Sequence, residues 1–496
     1  MLAPRPEERP TGKRLLPRAW AGGSRPGRGH RRRAPSPAGE PPAPRGTPSP
    51  AREPTGHTRP HAAVPSSGGQ VPARGRRPGN RPPPGPAPPP PSFPPALPPS
   101  LPPGAEHGGA MWRYVSSRQL EGFRRYKYSA VDTNPLSVYI MQPIWNKIIK
   151  IVPLWIAPNL LTFSGFVMIL VNYFLISFYD WDYTASGTSP GLVPTWVWLF
   201  SAFTTFCAYA LDSIDGKHAR RTQSSTPLGE LFDHGLDSWA TSIFVLSFFS
   251  VCSRDNGKTG VSVYTMYIYL SIVLFNFMCS HWEKYNTGVL FLPWGYDISQ
   301  VVLITAYLLT GAVGVEVWQK PFLFGYYITD ALVILLIGFS LFLSFPQTLY
   351  NIHRAHLKKT LKNDSLYEVL LPLVSPLLLF ILLTVWVVFS PSNILEKQPR
   401  LFLWMVGVTF SNVICKVIIC QMSSTQPELL HWFLFPLALV VYAAISGLLG
   451  WTEEAALATF TALVTAAHLH YGVCVGMQLS EHLNIYIFSL KKRVQE

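Results

Sequence analysis

Beyond residue 158 the chain alternates long apolar stretches with short polar connections. Ten stretches are predicted as membrane-spanning helices: 159–179, 192–212, 233–253, 261–281, 297–317, 328–349, 367–389, 401–421, 430–450 and 455–477. A helix rises 1.5 Å per residue, so about twenty apolar residues match a hydrocarbon core roughly 30 Å thick. Upstream, Leu136 to Val152 mixes apolar and polar positions, with Ile140, Trp145, Ile148, Ile149 and Ile151 among Asn146, Lys147 and Lys150. That pattern predicts an amphipathic helix lying in the membrane interface. Residues 1–110 carry neither period. They are built of Pro, Arg, Gly and Ser, as in Pro82-Pro83-Pro84, a composition that cannot bury a core and is expected to be disordered. Met111 opens a different kind of sequence and is the expected usual start.

The polar connections predict an orientation. Lys217, Arg220 and Arg221 lie between the second and third spans, Arg354, Lys358, Lys359 and Lys362 between the sixth and seventh, and Lys491, Lys492 and Arg493 after the tenth. Intervening connections carry acids, with Asp180 and Asp182, then Glu453 and Glu454. Lys and Arg are retained on the cytosolic side, so both termini are expected in the cytosol. Arg254, Lys258, Lys397 and Arg400 run against this bias without reversing it.

Charge changes the picture only once it is located. The net charge is +14, yet residues 1–110 hold 17 Lys and Arg against 5 Asp and Glu. The membrane body is close to neutral, and no nucleic-acid partner is expected. The six cysteines, Cys207, Cys252, Cys279, Cys415, Cys420 and Cys474, lie in or beside apolar stretches without a CxxC pair, so free thiols are expected.

The densest chemistry joins the second and third spans. Asp212, Asp215, Gly216, Ala219 and Arg220 are followed by Gly229, Asp233 and Asp237. Spacings of three and four put each aspartate pair on one helix face. Four acids beside hydrocarbon repel one another unless a cation holds them, so a hard divalent ion is expected there. Gly216 and Ala219 leave the backbone open to a flat base or ribose, whereas Gly229 reads better as close helix packing. Arg220 offers a fixed donor fork for phosphate. His234 and Asp237 are both candidate bases, and Glu230, four residues before His234, is placed to orient its imidazole. Glu283 and Asp297 flank an aromatic connection with Trp282, Tyr285, Trp294 and Tyr296, a candidate headgroup site. Lys416, Asn412, His468 and His470 interrupt other spans and are assigned no role.

The run 212–237 resembles, at each defined position, the signature of the CDP-alcohol phosphotransferase family. Pro158, Asn159, Thr162 and Gly165 resemble the segment that opens that family's first core helix, although Asn159 alone reads equally as a helix N-cap. The stretches Tyr126–Pro135 and His281–Asp297 look closest to the ethanolamine side of its choline and ethanolamine branch. The long leader is foreign to the family.

This resemblance implies Asp212, Asp215, Asp233 and Asp237 as ligands of two divalent ions, Mg2+ or Mn2+. It implies Asn159, Thr162, Gly216, Ala219, Arg220 and Gly229 in the nucleotide pocket, and His234 with Glu230, or else Asp237, as the proton acceptor. The expected fold is an all-α integral membrane protein of about ten transmembrane helices, with a cytosolic-side active site and an N-terminal interfacial amphipathic helix. Expected regions are a disordered leader (1–110), an interfacial segment (111–158), a catalytic bundle (159–349), additional spans (350–478) and a tail (479–496). The implied reaction moves phosphoethanolamine from CDP-ethanolamine to diacylglycerol or alkylacylglycerol, within an endoplasmic reticulum or Golgi membrane and in a possible homodimer. CDP-choline, or both donors, is the nearest alternative. A cation-binding membrane transporter is the alternative of another class.

Overall fold

A computed structural model describes residues 112–185, 192–253, 260–292, 294–322, 324–363 and 365–491. The leader, Met111 and the charges at Arg254, Lys258, Lys492 and Arg493 lie outside the described residues.

The protein is an all-α membrane protein. Among the described residues nine helices are long and apolar enough to cross a membrane. A short helix α1 (Ser117–Arg125) and an interfacial helix α2 (Gln142–Ile148) precede them. The long helices are α3 (Pro158–Tyr179), α4 (Thr195–Arg221), α5 (Pro227–Cys252), α6 (Val263–Thr287), α7 (Gly295–Val313), α8 (Ile328–Leu357), α9 (Leu366–Phe389), α10 (Pro399–Ser423) and α12 (Glu453–His482). Helix α10 is the axis of the bundle and packs against α1, α5, α6, α9 and α12. Small residues bring the helices together: a Cβ on Gly407 would lie 2.3 Å from Ser242 Oγ of α5.

The ninth predicted span is a departure. Residues 430–450 contain only α11 (Leu434–Ile445), 12 residues long. At 1.5 Å per residue it covers about 18 Å, short of a bilayer core. Polar anchors and turns shorten it. Ser424 takes a left-handed φ of 54°, His431 N donates to Ser375 Oγ at 2.9 Å, and Gly447 and Gly450 have positive φ.

The expected amphipathic segment is present but in two pieces. A π-helical turn at Ser137–Met141 runs into α2. Trp145 is buried, its ring edge-on to Tyr209 of α4 at 5.0 Å, while Tyr139, Ile151 and Trp155 are exposed.

The connection between α4 and α5 is far shorter than the apolar pattern predicts. Helix α4 continues through Arg221 and α5 begins at Pro227, leaving Thr222–Thr226 between them. Thr226 caps α5, its Oγ1 accepting from Gly229 N at 3.1 Å, and Pro227 and Glu230 occupy the first turn. The polar end of α4 is tied to the interfacial segment. Lys217 Nζ donates to Asn146 Oδ1 at 2.7 Å, and His218 Nε2 meets Ile156 O at 2.9 Å. Arg221 NH1 donates to Ile149 O at 2.6 Å and Val152 O at 2.8 Å. Lys217 and Arg221, read as part of a positive-inside loop, are therefore braces, and their backbones are helical.

At the opposite end of the bundle Arg400 is fully buried. Its guanidinium donates to Trp181 O (3.0 Å), Ser177 Oγ (3.0 Å) and Ser250 Oγ (2.8 Å), and lies 3.9 Å from the centroid of the Tyr183 ring. Arg400 thus ties α10 to the ends of α3 and α5 rather than marking an exposed loop.

Candidate active site

Three helix ends and two distant segments build one cavity of about 540 Å³. The C-terminal half of α4 contributes Asp212, Asp215, Gly216, Ala219 and Arg220, and the first turns of α5 contribute Gly229, Glu230, Asp233, His234 and Asp237. Asn159 and Thr162 come from the start of α3. Every residue anticipated for metal, nucleotide or proton transfer borders this cavity.

Both aspartate pairs lie on single helix faces, as their spacing predicts. Asp212, Asp215 and Asp233 bring one carboxylate oxygen each within 4.8 Å of one another. Asp237 lines the same cavity one turn beyond Asp233. Asp233 Oδ1 is buried without a hydrogen-bond partner in the protein, an acceptor left over for a ligand. An all-oxygen set of this kind suits a hard divalent cation. Two hydroxyls set its edges: Thr162 Oγ1 donates to Asp215 Oδ2, and Tyr296 OH donates to Asp212 Oδ2 at 2.5 Å.

Asn159 does not cap α3. The N-cap is Ala157, and the Asn159 amide donates instead to Ile487 O at 3.0 Å. A Cβ on Gly229 would lie 3.2 Å from Asn159 Oδ1, so Gly229 lets α5 pack closely on α3 beside the cavity. A Cβ on Gly216 would meet only Arg220 NH1, at 3.7 Å, which leaves that backbone open to a ligand.

His234 is buried between Glu230 and Asp233. Its Nδ1 lies 3.8 Å from Glu230 Oε1 and its Nε2 lies 4.0 Å from Asp233 Oδ2. Glu230 Oε1 also takes the Lys284 ammonium and, at 2.6 Å, the Tyr126 hydroxyl. Burial, and after it the Glu230 carboxylate, push the Tyr126 phenol well up from its ordinary value, which keeps it a donor.

The headgroup set separates. Tyr296 and Asp297 border the cavity. Glu283 does not; it faces α8, accepting from Asn351 Nδ2 at 2.7 Å. Trp282 Nε1 donates to Val369 O at 2.7 Å, and Trp294 Nε1 to Thr133 Oγ1 at 3.0 Å. Asp297 is held by Asn134 Nδ2 at 2.8 Å and by the Tyr209 hydroxyl. Strands β1 (Ala130–Val131) and β2 (Leu290–Phe291) pair in parallel and fasten the upstream segment to the α6–α7 connection.

Away from the carboxylates the cavity turns apolar, with Phe166, Phe244, Phe248, Val273 and Phe277 along its walls. The lining therefore offers acids and Arg220 at one end and a hydrocarbon-like surface at the other.

A CDP-alcohol phosphatidyltransferase family model matches residues 155–340. Over 384 residues the chain is 54% identical to mouse ethanolaminephosphotransferase 1, covering 77% of this chain and 96% of that protein. Human ethanolaminephosphotransferase 1 is 53% identical over 383 residues, with the same coverage. Choline/ethanolaminephosphotransferase 1 of Arabidopsis thaliana is 28% identical over 404 residues, 77% of this chain and 99% of that protein. The chain belongs to the CDP-alcohol phosphatidyltransferase family. Membership makes it a transferase and removes the cation-transporter reading.

Sequence reasoning missed Tyr126 and Lys284, and it placed Tyr296 with the headgroup rather than beside Asp212. A lysine near the end of an apolar span was the available signal for Lys284. Nothing local marks the two tyrosines, whose partners lie 104 and 84 residues away.

Proposed function

We propose that this chain transfers phosphoethanolamine from CDP-ethanolamine to the free hydroxyl of diacylglycerol or alkylacylglycerol, releasing CMP and an ethanolamine phospholipid. The observation that carries the reading is the single cavity that joins an acid cluster to an apolar chamber. A charged nucleotide and a lipid alcohol need those two surfaces side by side. The donor assignment leans on the similarity to mouse and human ethanolaminephosphotransferase 1.

In the reaction the acceptor oxygen bonds to the phosphorus that carries ethanolamine, and the bond from that phosphorus to the bridging oxygen breaks. CMP leaves with the bridging oxygen, and the hydroxyl proton passes to the enzyme. Asp212, Asp215, Asp233 and Asp237 would hold two divalent ions, Mg2+ or Mn2+, which when bound neutralise diphosphate charge. Arg220 grips phosphate at the rim, while Asn159, Thr162, Gly216, Ala219 and Gly229 shape the nucleotide end. His234 takes the proton, because a carboxylate crowded among three others for metal binding is a poor base. Carboxylates face both ring nitrogens, Glu230 at Nδ1 and Asp233 at Nε2; with Asp233 committed to a divalent ion, Glu230 favours the tautomer protonated at Nδ1 and leaves Nε2 as acceptor. Asp237 is the second candidate for that proton.

The same reading places the acid cluster and both termini on the cytosolic side, in endoplasmic reticulum or Golgi membrane. The lipid enters from the bilayer, and the enzyme acts as a homodimer. Residues 159–349 form the catalytic unit, flanked by the interfacial segment (111–158) and the further spans (350–478). A dual-donor enzyme is the second reading, favoured by the Arabidopsis relative.

The test is transfer in membranes expressing the full chain. Labelled CDP-ethanolamine and CDP-choline compete for added diacylglycerol with Mg2+ or Mn2+, and chelator is the control. Metal-dependent formation of labelled phosphatidylethanolamine is expected. Equal phosphatidylcholine would replace the donor assignment with the dual reading, and no lipid product from either donor would overturn the reaction.

A further inference from the structure

Lys284 is buried at 2% side-chain exposure near the end of α6, outside the cavity wall. Burying an ammonium is costly unless it is paired. Its partner is Glu230, whose side chain is 10% exposed. The same oxygen, Oε1, accepts from Tyr126 OH at 2.6 Å and faces His234 Nδ1 at 3.8 Å, an electrostatic contact that leaves Nδ1 without a hydrogen bond. The ammonium also lies 5.3 Å from the centroid of the Tyr128 ring, and that ring lies 6.4 Å from His234. Behind His234, the His281 ring stands edge-on at 5.5 Å, and Gln421 Nε2 lies 3.1 Å from His281 Nδ1.

We propose that Lys284 and Tyr126 are positioning residues for the reaction: two donors from outside the cavity clamp Glu230 so that it orients His234. Neither donor borders the cavity, so both act through Glu230. Without them Glu230 Oε1 loses two hydrogen bonds, and its carboxylate is free to turn toward the acid cluster or water. His234 then keeps its place on α5 but loses the neighbour that selects its tautomer. Partners one step behind a reacting group commonly change activity by about 10- to 100-fold when removed. The clamp rests on the assignment of His234 as proton acceptor.

The experiment measures kcat and KM for CDP-ethanolamine in membranes carrying the full chain. Variants are Lys284→Met, Lys284→Arg, Tyr126→Phe, Glu230→Gln, His234→Ala and the double variant Lys284→Met with Glu230→Gln. Lys284→Met is expected to lower kcat about 10- to 100-fold with KM changed less than about threefold. Lys284→Arg should recover part of that loss, and Tyr126→Phe should lose about three- to tenfold in kcat. In the Glu230→Gln background Lys284→Met should cost less than about threefold further, because the carboxylate charge it holds is gone. Thermal unfolding in detergent reports whether Lys284→Met folds, and if it does not, Tyr126→Phe decides. Full losses from both changes in the double variant would overturn the clamp, as would a rise in KM at unchanged kcat. Normal turnover in His234→Ala would overturn the base assignment on which it rests. A wild-type chain without transfer would overturn the proposed reaction itself.

Discussion

Replacing Arg220 by alanine isolates the phosphate grip from the rest of the basic end of α4. Lys217, His218 and Arg221 are each committed to the interfacial segment, so their loss would disturb packing. Arg220 instead borders the cavity at an exposed rim. A hydrogen bond to a charged group contributes about 1.5–3 kcal/mol, and water at the rim moves Arg220 to the low side, about 1–2 kcal/mol. That free energy corresponds to about 5- to 30-fold in affinity. The assay is initial rate against CDP-ethanolamine at saturating diacylglycerol. KM should rise by that factor with kcat within about twofold, the pattern of an interaction equal in ground and transition states. Arg220→Lys should fall between, keeping charge without the planar fork. Raising salt should narrow the gap between wild type and Arg220→Ala, because exposed charges are screened. An unchanged KM in Arg220→Ala, or a loss confined to kcat, would refute this account of the rim.

Two further changes test parts of the structure away from the rim. Arg400→Met removes the buried clamp and leaves Asp180 without its cation, at a cost of about 3–5 kcal/mol; detergent-solubilised protein should unfold at clearly lower temperature, while turnover per folded molecule stays within about twofold. Glu283→Gln should leave the preference between CDP-ethanolamine and CDP-choline within about twofold, since Glu283 faces Asn351 rather than the cavity; a switch in preference in the competition assay would restore it as a headgroup residue.

Local signals carried much of this fold and site. Apolar length marks the spans, and spacings of three and four place the aspartate pairs on one face. Helix ends were harder, because hydropathy falls at Asp212 while the backbone stays helical to Arg221. Side chains from the interfacial segment, not apolar character, hold that last stretch. The length of α11 was hidden for the converse reason: apolar residues continue where Ser375 and two glycines interrupt the helix. Arg400 looked like a loop charge because its partners belong to α3 and α5, 150 or more residues earlier. The Lys284 pair and the Tyr296 hydroxyl were illegible on the same ground, since each joins elements distant in sequence. Glu283 shows the opposite error, a carboxylate near the right connection that turns to another neighbour.

The contact between Asn159 and Ile487 has a bearing on how the enzyme is made. A pocket residue at the start of the first long helix is held by a backbone carbonyl 328 positions later, and Phe488 packs against Phe163 and Phe232 beside it. During synthesis the aspartate-bearing helices leave the ribosome long before that carbonyl exists. On the proposed reading the nucleotide end is therefore unfinished in every nascent chain, and it closes only when the last helix has inserted and its following residues have folded back. Activity would then appear at the close of biogenesis, and incomplete chains held in the membrane would be silent although they contain all four aspartates.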